Sequence, residues 1–214
     1  MRSYRLLLTV ASTNYSKNIA LHPPPLLGEA LPLELANTRF KRRGTELDAL
    51  QSPADLAAWL VRVAERLPIA PTQHDLDAIT AAELAAARAL RDALRTLFAA
   101  AISGASLDAD ATAVVNRTVR AAPRWQELSV RARPEAVTHT AAPPVTAALA
   151  AIAEHAVSIL TGPDAESLRA CAGPGCMLFY RQDHPRRAWC SPRCSNRARA
   201  ARHYARSTGR PAPA

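Results

Sequence analysis

All four cysteines of this chain fall between residues 171 and 194, as Cys171, Cys176, Cys190 and Cys194, spaced C-x4-C, then thirteen residues, then C-x3-C. Two close pairs at this separation let a tight turn present each pair to one tetrahedral ion, while the intervening loop folds the pairs together. The pattern predicts a single structural Zn2+. Two disulfides are the alternative, and they would need an oxidising compartment. The one secretion-like stretch, Arg2 to Ala11, has too short an apolar core and no small-residue cleavage site. A catalytic zinc keeps an open position and a nearby base, whereas four thiolates close the tetrahedron and no glutamate follows Glu166.

The positive charge is concentrated in the same segment. Residues 168–214 carry ten arginines against Asp183, a local net of +9, whereas the first 167 residues hold seventeen basic and seventeen acidic side chains. The whole excess of the chain therefore sits in its last fifth, as expected of a segment that meets a polyanion. The apolar share is 49 % with only 5 % aromatic residues, and alanine dominates it, which favours helices packed through small side chains. At 214 residues the chain has room for one domain and a small module. No run approaches 18 uninterrupted apolar residues, so no membrane span and a cytoplasmic protein are expected.

The predicted fold is α+β and predominantly α. Residues 1–27, ending in Pro23 to Pro25, read as an arm. Leu31, Leu33 and Leu35 alternate like a short strand, although Pro32 also permits a helical turn. Ser52 before Pro53 starts a helix that Pro68 stops. Thr72 with Asp75 and Thr80 with Glu83 are capping-box starts for helices near 73–79 and 81–103, and a further helix spans Leu107 to Ala121. Trp125 to Arg131 and Ala136 to Thr140, separated by Pro134, read as a β-hairpin. Pro144 opens an alanine-rich helix to about Leu160, with Gly162-Pro163 as its stop. The body spans 28–162.

Within the module at 168–206, Cys171 to Cys176 form a glycine- and proline-bearing knuckle, followed by a short apolar strand at Met177 to Tyr180 and a polar turn at Arg181 to Arg187. Ser191 and Pro192 are placed to cap and open a helix, putting Cys194 in its first turn, where the positive end of the helix dipole faces thiolate charge. The order resembles a treble clef. Along that helix, Cys194, Ala198, Ala201 and Ala205 make a small-residue stripe predicted to press on Phe179 and Trp189. Arg193, Arg197, Arg199, Arg202 and Arg206, with Asn196, occupy the other surfaces, and no acid at i+3 or i+4 offsets their mutual repulsion. Residues 207–214 read as a flexible tail.

Two parts of the chain resemble a known family. Trp189 to His203, with the upstream C-x4-C, looks like the CGNR zinc finger, whose Cys-Gly-Asn-Arg reads here Cys194-Ser195-Asn196-Arg197. Serine suits this position, which lies inside a helical turn and needs no positive φ. Gly28, Leu31, Leu33, Asn37 and Thr38 fit the G-x-x-L-x-L-x-x-x-N-T pattern of the ABATE domain that precedes such fingers, with Glu34 where aspartate is commoner. The resemblance implies a stress-related transcription regulator. DNA is then the expected partner, with Arg193, Asn196 and Arg197 near base edges and Arg199, Arg202 and Arg206 on phosphates, and the protein nucleoid-associated when bound. RNA binding by the same helix and a protein-interaction zinc module are the alternatives. Dispersed His74, His139 and His155, and a body without cysteine, argue against an enzyme. Asn37, Thr38 and Arg39, with Arg42 and Arg43, form a polar cluster that reads as a pocket rim or second anionic contact, or else as a capped loop. A neutral body could bind a small-molecule effector or form a homodimer.

Overall fold

The computed structural model describes residues 23–130 and 133–208. The secretion-like stretch at Arg2 to Ala11, most of the predicted arm, the end of the predicted strand at Arg131 and most of the predicted tail lie outside them. Residues 31–36 form a helix, α1 (Leu31–Ala36), with Pro32 in its first turn, and not the strand that the alternating leucines suggest. All six residues are buried, so the segment has no polar side to reveal a helical period. An antiparallel hairpin without a counterpart in the sequence reading follows, β1 (Arg39–Arg42) and β2 (Thr45–Asp48). Its two-residue turn, Arg43-Gly44, has φ of 52° and 85°, the left-handed pair that matches the twist of a tight hairpin and favours glycine.

Three helices then start on side-chain caps. Helices α2 (Pro53–Val63), α3 (Gln73–Asp77) and α4 (Ala81–Ser103) each open with a complete capping box, Ser52 with Asp55, Thr72 with Asp75 and Thr80 with Glu83. In each, the hydroxyl accepts a backbone N–H and the carboxylate returns a bond to the cap residue. Thr80→Ala is expected to cost about 1 kcal/mol of stability, read as a lower urea midpoint with unchanged zinc content. Helix α5 (Ala109–Arg120) is capped by Asp108, whose carboxylate accepts from Ala111 N at 2.7 Å.

The predicted second hairpin is present as β3 (Arg124–Val130) and β4 (Pro134–Thr140), and it stands away from the core with Leu128 and Val130 exposed. Helix α6 (Pro144–Thr161) is by length and composition able to cross a membrane, the one such helix among the described residues. It is instead a core helix here, with Leu149, Ile152, Ala153, Ala156 and Ile159 buried. Helix α4 is the hub, touching α1, α2, α5 and α6, and their apolar faces close one core around Trp59, Leu90, Leu94, Phe98 and Ile152.

The C-terminal module comprises β5 (Leu168–Ala170), β6 (Phe179–Arg181) and α7 (Pro192–Thr208). Strands β5 and β6 pair antiparallel, with Ala170 opposite Phe179, so the first cysteine pair lies in the connection between two strands. The knuckle thus interrupts the hairpin instead of preceding it. Leu168 and Phe179 belong to the core of the body, so the two units share apolar packing across the predicted boundary.

Candidate metal centre and nucleic-acid face

The β5–β6 connection turns sharply enough to aim backbone amides at sulfur. Gly173 N lies 3.5 Å and Cys190 N 3.3 Å from Cys171 Sγ. A Cβ on Gly173 would come within 3.0 Å of Cys194 Cβ and 3.3 Å of its Sγ, so any larger residue would press on the sulfurs. From the other side, Ser191 Oγ accepts from Cys194 N at 3.4 Å at the start of α7, which sets Cys194 in the first helical turn. Cys171, Cys190 and Cys194 are buried and Cys176 half-buried.

The four Sγ atoms lie within 4.8 Å of one another, with 3.8 Å between Cys176 and Cys190 and 3.5 Å between Cys190 and Cys194. A tetrahedral ion with zinc–sulfur bonds of about 2.3 Å holds its sulfurs about 3.8 Å apart, so the cluster has the size of one zinc. These separations are far beyond a disulfide bond of about 2.05 Å. Sulfurs this close cannot all ionise without a cation among them. Hydrogen bonds from the Cys176 and Cys190 thiols hold Cys171 far below the usual thiol range, and the same pairing together with burial pushes Cys176 and Cys190 up. The four cysteines hold one structural zinc, closed to a fifth ligand by their own number. Arg197 Nη2 donates to Cys194 Sγ at 3.2 Å, and with the positive end of α7 it offsets the excess negative charge of four thiolates.

The remaining cations of α7 face outward. Arg193, Arg197, Arg199, Arg202 and Arg206 are all exposed, and among the described residues none pairs with a carboxylate. Arg199 Nη2 donates to Asn196 Oδ1 at 2.8 Å, and Arg202 stacks over Trp189 with its guanidinium 5.8 Å from the ring centroid. Trp189 meets the small-residue stripe as expected, lining a shallow groove with Ala198, Ala201 and Ala205. Phe179 does not. Its ring points into the body, packing edge-on against Phe98 at 5.9 Å between centroids. Strand β6 therefore turns Phe179 toward the body, while Tyr180, its neighbour in the strand, packs among the cysteines, as alternation along a strand requires.

A family model described as "Putative stress-induced transcription regulator", ABATE, matches residues 29–163, more than half of the chain. The chain belongs to the ABATE family. The model of the CGNR zinc finger matches residues 167–207, which contain the whole cysteine cluster and α7. No curated protein matches the chain.

The motif residue Asn37 lies at the seam where body and finger meet. Asn37 is fully buried, and its side chain makes two bonds to one finger residue, Nδ2 donating to Phe179 O and Oδ1 accepting from Phe179 N, both at 2.8 Å. Thr38, also buried, donates Oγ1 to Leu35 O at 2.7 Å. Arg39 pairs with Glu46 at 2.5 Å. Sequence brings these three together, but the polar atoms of Asn37 and Thr38 are taken up inside the fold and line no accessible rim.

Glu29, Arg187 and Arg95, whose roles the sequence reading did not single out, complete the seam. The buried Glu29 carboxylate accepts from Arg181 N at 3.1 Å and from Arg187 Nη2 at 2.7 Å, both finger residues. Arg95 of α4 donates to Ala36 O at 2.9 Å, to Met177 O at 3.3 Å beside the knuckle, and lies 5.2 Å from the Phe179 ring centroid. Nothing in the alanine-rich helix distinguishes Arg95 from Arg88 and Arg91 before the finger is in place. The motif carboxylate Glu34 accepts from Leu27 N at 3.0 Å and Glu29 N at 2.8 Å, so it orders the entry to α1. Burial raises its pKa, and those amides, with Arg66, oppose the rise.

Proposed function

We propose that this ABATE protein is a non-catalytic DNA-binding regulator in which the zinc centre fixes α7 and α7 presents its arginines to the duplex. The observation that carries the reading is the exposed arginine series on one helix that, among the described residues, pairs with no carboxylate, beside a body whose own charges balance. A helix fits the major groove, with Arg193 and Asn196 in its first turns near base edges and Arg199, Arg202 and Arg206 along the backbone. Arg197 is shared with Cys194 Sγ, so its loss would disturb the metal centre as well as any base contact. The site of action on this reading is the nucleoid, in the cytoplasm.

Fluorescence anisotropy with a short duplex and with RNA of matched length tests it. Arg199→Ala and Arg206→Ala are each expected to weaken all duplex sequences alike and to flatten the plot of log K against log salt by about one unit. Tighter binding to RNA would transfer the assignment to that partner. Unchanged affinity and slope in both variants would make α7 a protein-interaction surface instead.

A further inference from the structure

The β1–β2 hairpin ends in three consecutive cations, Lys41, Arg42 and Arg43, all exposed and, among the described residues, without an ion pair or side-chain hydrogen bond. Glu46, which stands opposite Lys41 in the ladder, is bound instead to Arg39 at 2.5 Å. The hairpin is tied down at its base. Its strands are anchored at their base by buried Arg91, which pairs with Asp48 at 2.5 Å, and by Arg88, which donates to Leu50 O at 2.6 Å. The left-handed Arg43-Gly44 turn follows Lys41 and Arg42 directly, so three like charges fall within the tip of one short hairpin.

The hairpin also lies against the metal centre. Phe40, Leu47 and Ala49 pack in one apolar cluster with Cys171, Cys190 and Cys194, and the Arg95 guanidinium bridges Arg39 O at 3.4 Å and Met177 O at 3.3 Å. From Arg39 to Arg42 the strand advances about 10 Å, so the tip lies about that far along the strand from Arg39. Alternation puts Arg42 on the same face of the strand as Phe40, the face turned to the finger.

We propose that Lys41, Arg42 and Arg43 form a second phosphate-contacting element, which grips the duplex backbone beside the segment occupied by α7. This rests on the DNA-binding reading above and extends the interface from the finger onto the body. The body then sets the orientation of the finger on DNA as well as carrying it, because the tip and α7 are fixed to one another through the cysteine cluster.

The test uses full-length zinc-loaded protein and a duplex of random sequence, with binding measured across a salt series. Replacing Lys41 and Arg42 by Gln and Arg43 by Asn, which tolerates positive φ, is expected to flatten the salt slope by about two to three units. Arg117→Gln with Arg120→Gln, exposed cations at the far end of α5, should leave it within half a unit of wild type on the same basis. Adding a charge at the tip by Thr45→Lys should steepen the slope by about one unit, and this variant decides the matter if the triple variant has lost its zinc. A wild-type slope in the triple variant or in Thr45→Lys overturns the proposal, as does a control flattened as much per charge removed. Wild-type protein that does not bind the duplex defeats the DNA reading itself. Binding weakened by Arg206→Ala but insensitive to the hairpin defeats only the second element.

Discussion

Cys190→Ser protein is expected to purify without zinc and with the module at 168–206 unfolded. Cys190 is buried, its sulfur lies 3.8 Å from Cys176 Sγ and 3.5 Å from Cys194 Sγ, and it supplies one corner of the closed tetrahedron. Structural zinc sites of this type contribute on the order of 10–16 kcal/mol, more than the module's small apolar cluster can replace. The damage should not stop at the module. Leu168 and Phe179 fill the core built by α1, α4 and α6, so removing their support should also lower the melting temperature of the helical body. Metal analysis and circular dichroism melts check both parts. One zinc per chain retained in Cys190→Ser would contradict the four-sulfur assignment.

Asn37→Ala should destabilise the body strongly while leaving every zinc ligand intact. Its side chain satisfies both the amide and the carbonyl of Phe179 within a fully buried seam. Alanine leaves those two groups without that partner, and each buried unsatisfied group costs about 1–3 kcal/mol, so a total loss of roughly 2–6 kcal/mol is expected. The cost should appear in urea denaturation as a lower midpoint for signals from the body and from Trp189 together. A change below about 0.5 kcal/mol would mean that the Glu29, Arg95 and apolar contacts hold the finger without Asn37.

The parts of this fold that were legible in the sequence are those in which local chemistry decides local structure. The three hydroxyl–carboxylate caps at Ser52, Thr72 and Thr80 bind backbone within four residues of themselves, so their spacing alone marks the helix starts. The cysteine pairs likewise carry their geometry in their intervals. What stayed hidden depends on residues far apart in the chain. Helix α1 is buried on every side and so shows no amphipathic period. The β1–β2 hairpin is short and charged, and its stability comes from Phe40 against the finger and Asp48 against Arg91, contacts that no local pattern encodes. Asn37 reads as an exposed polar residue until the finger strand, 142 positions later, is laid against it.

The family motif acquires a physical reason from the same geometry. Glu34 orders the turn into α1, Leu31 and Leu33 bury that helix, and Asn37 holds β6, so the motif builds the surface on which the finger is seated. A separate ABATE fragment ending before Leu168 would expose that surface and lack two core side chains.

The salt dependence of duplex binding by the intact protein tests the account most directly. The three backbone-facing arginines of α7, Arg199, Arg202 and Arg206, and the three cations of the hairpin tip, at about 0.9 per phosphate, give an expected slope of roughly −5 to −6 in log K against log salt. A slope in that range is the predicted result. No measurable binding to the duplex at low salt, or a slope near zero, would contradict it.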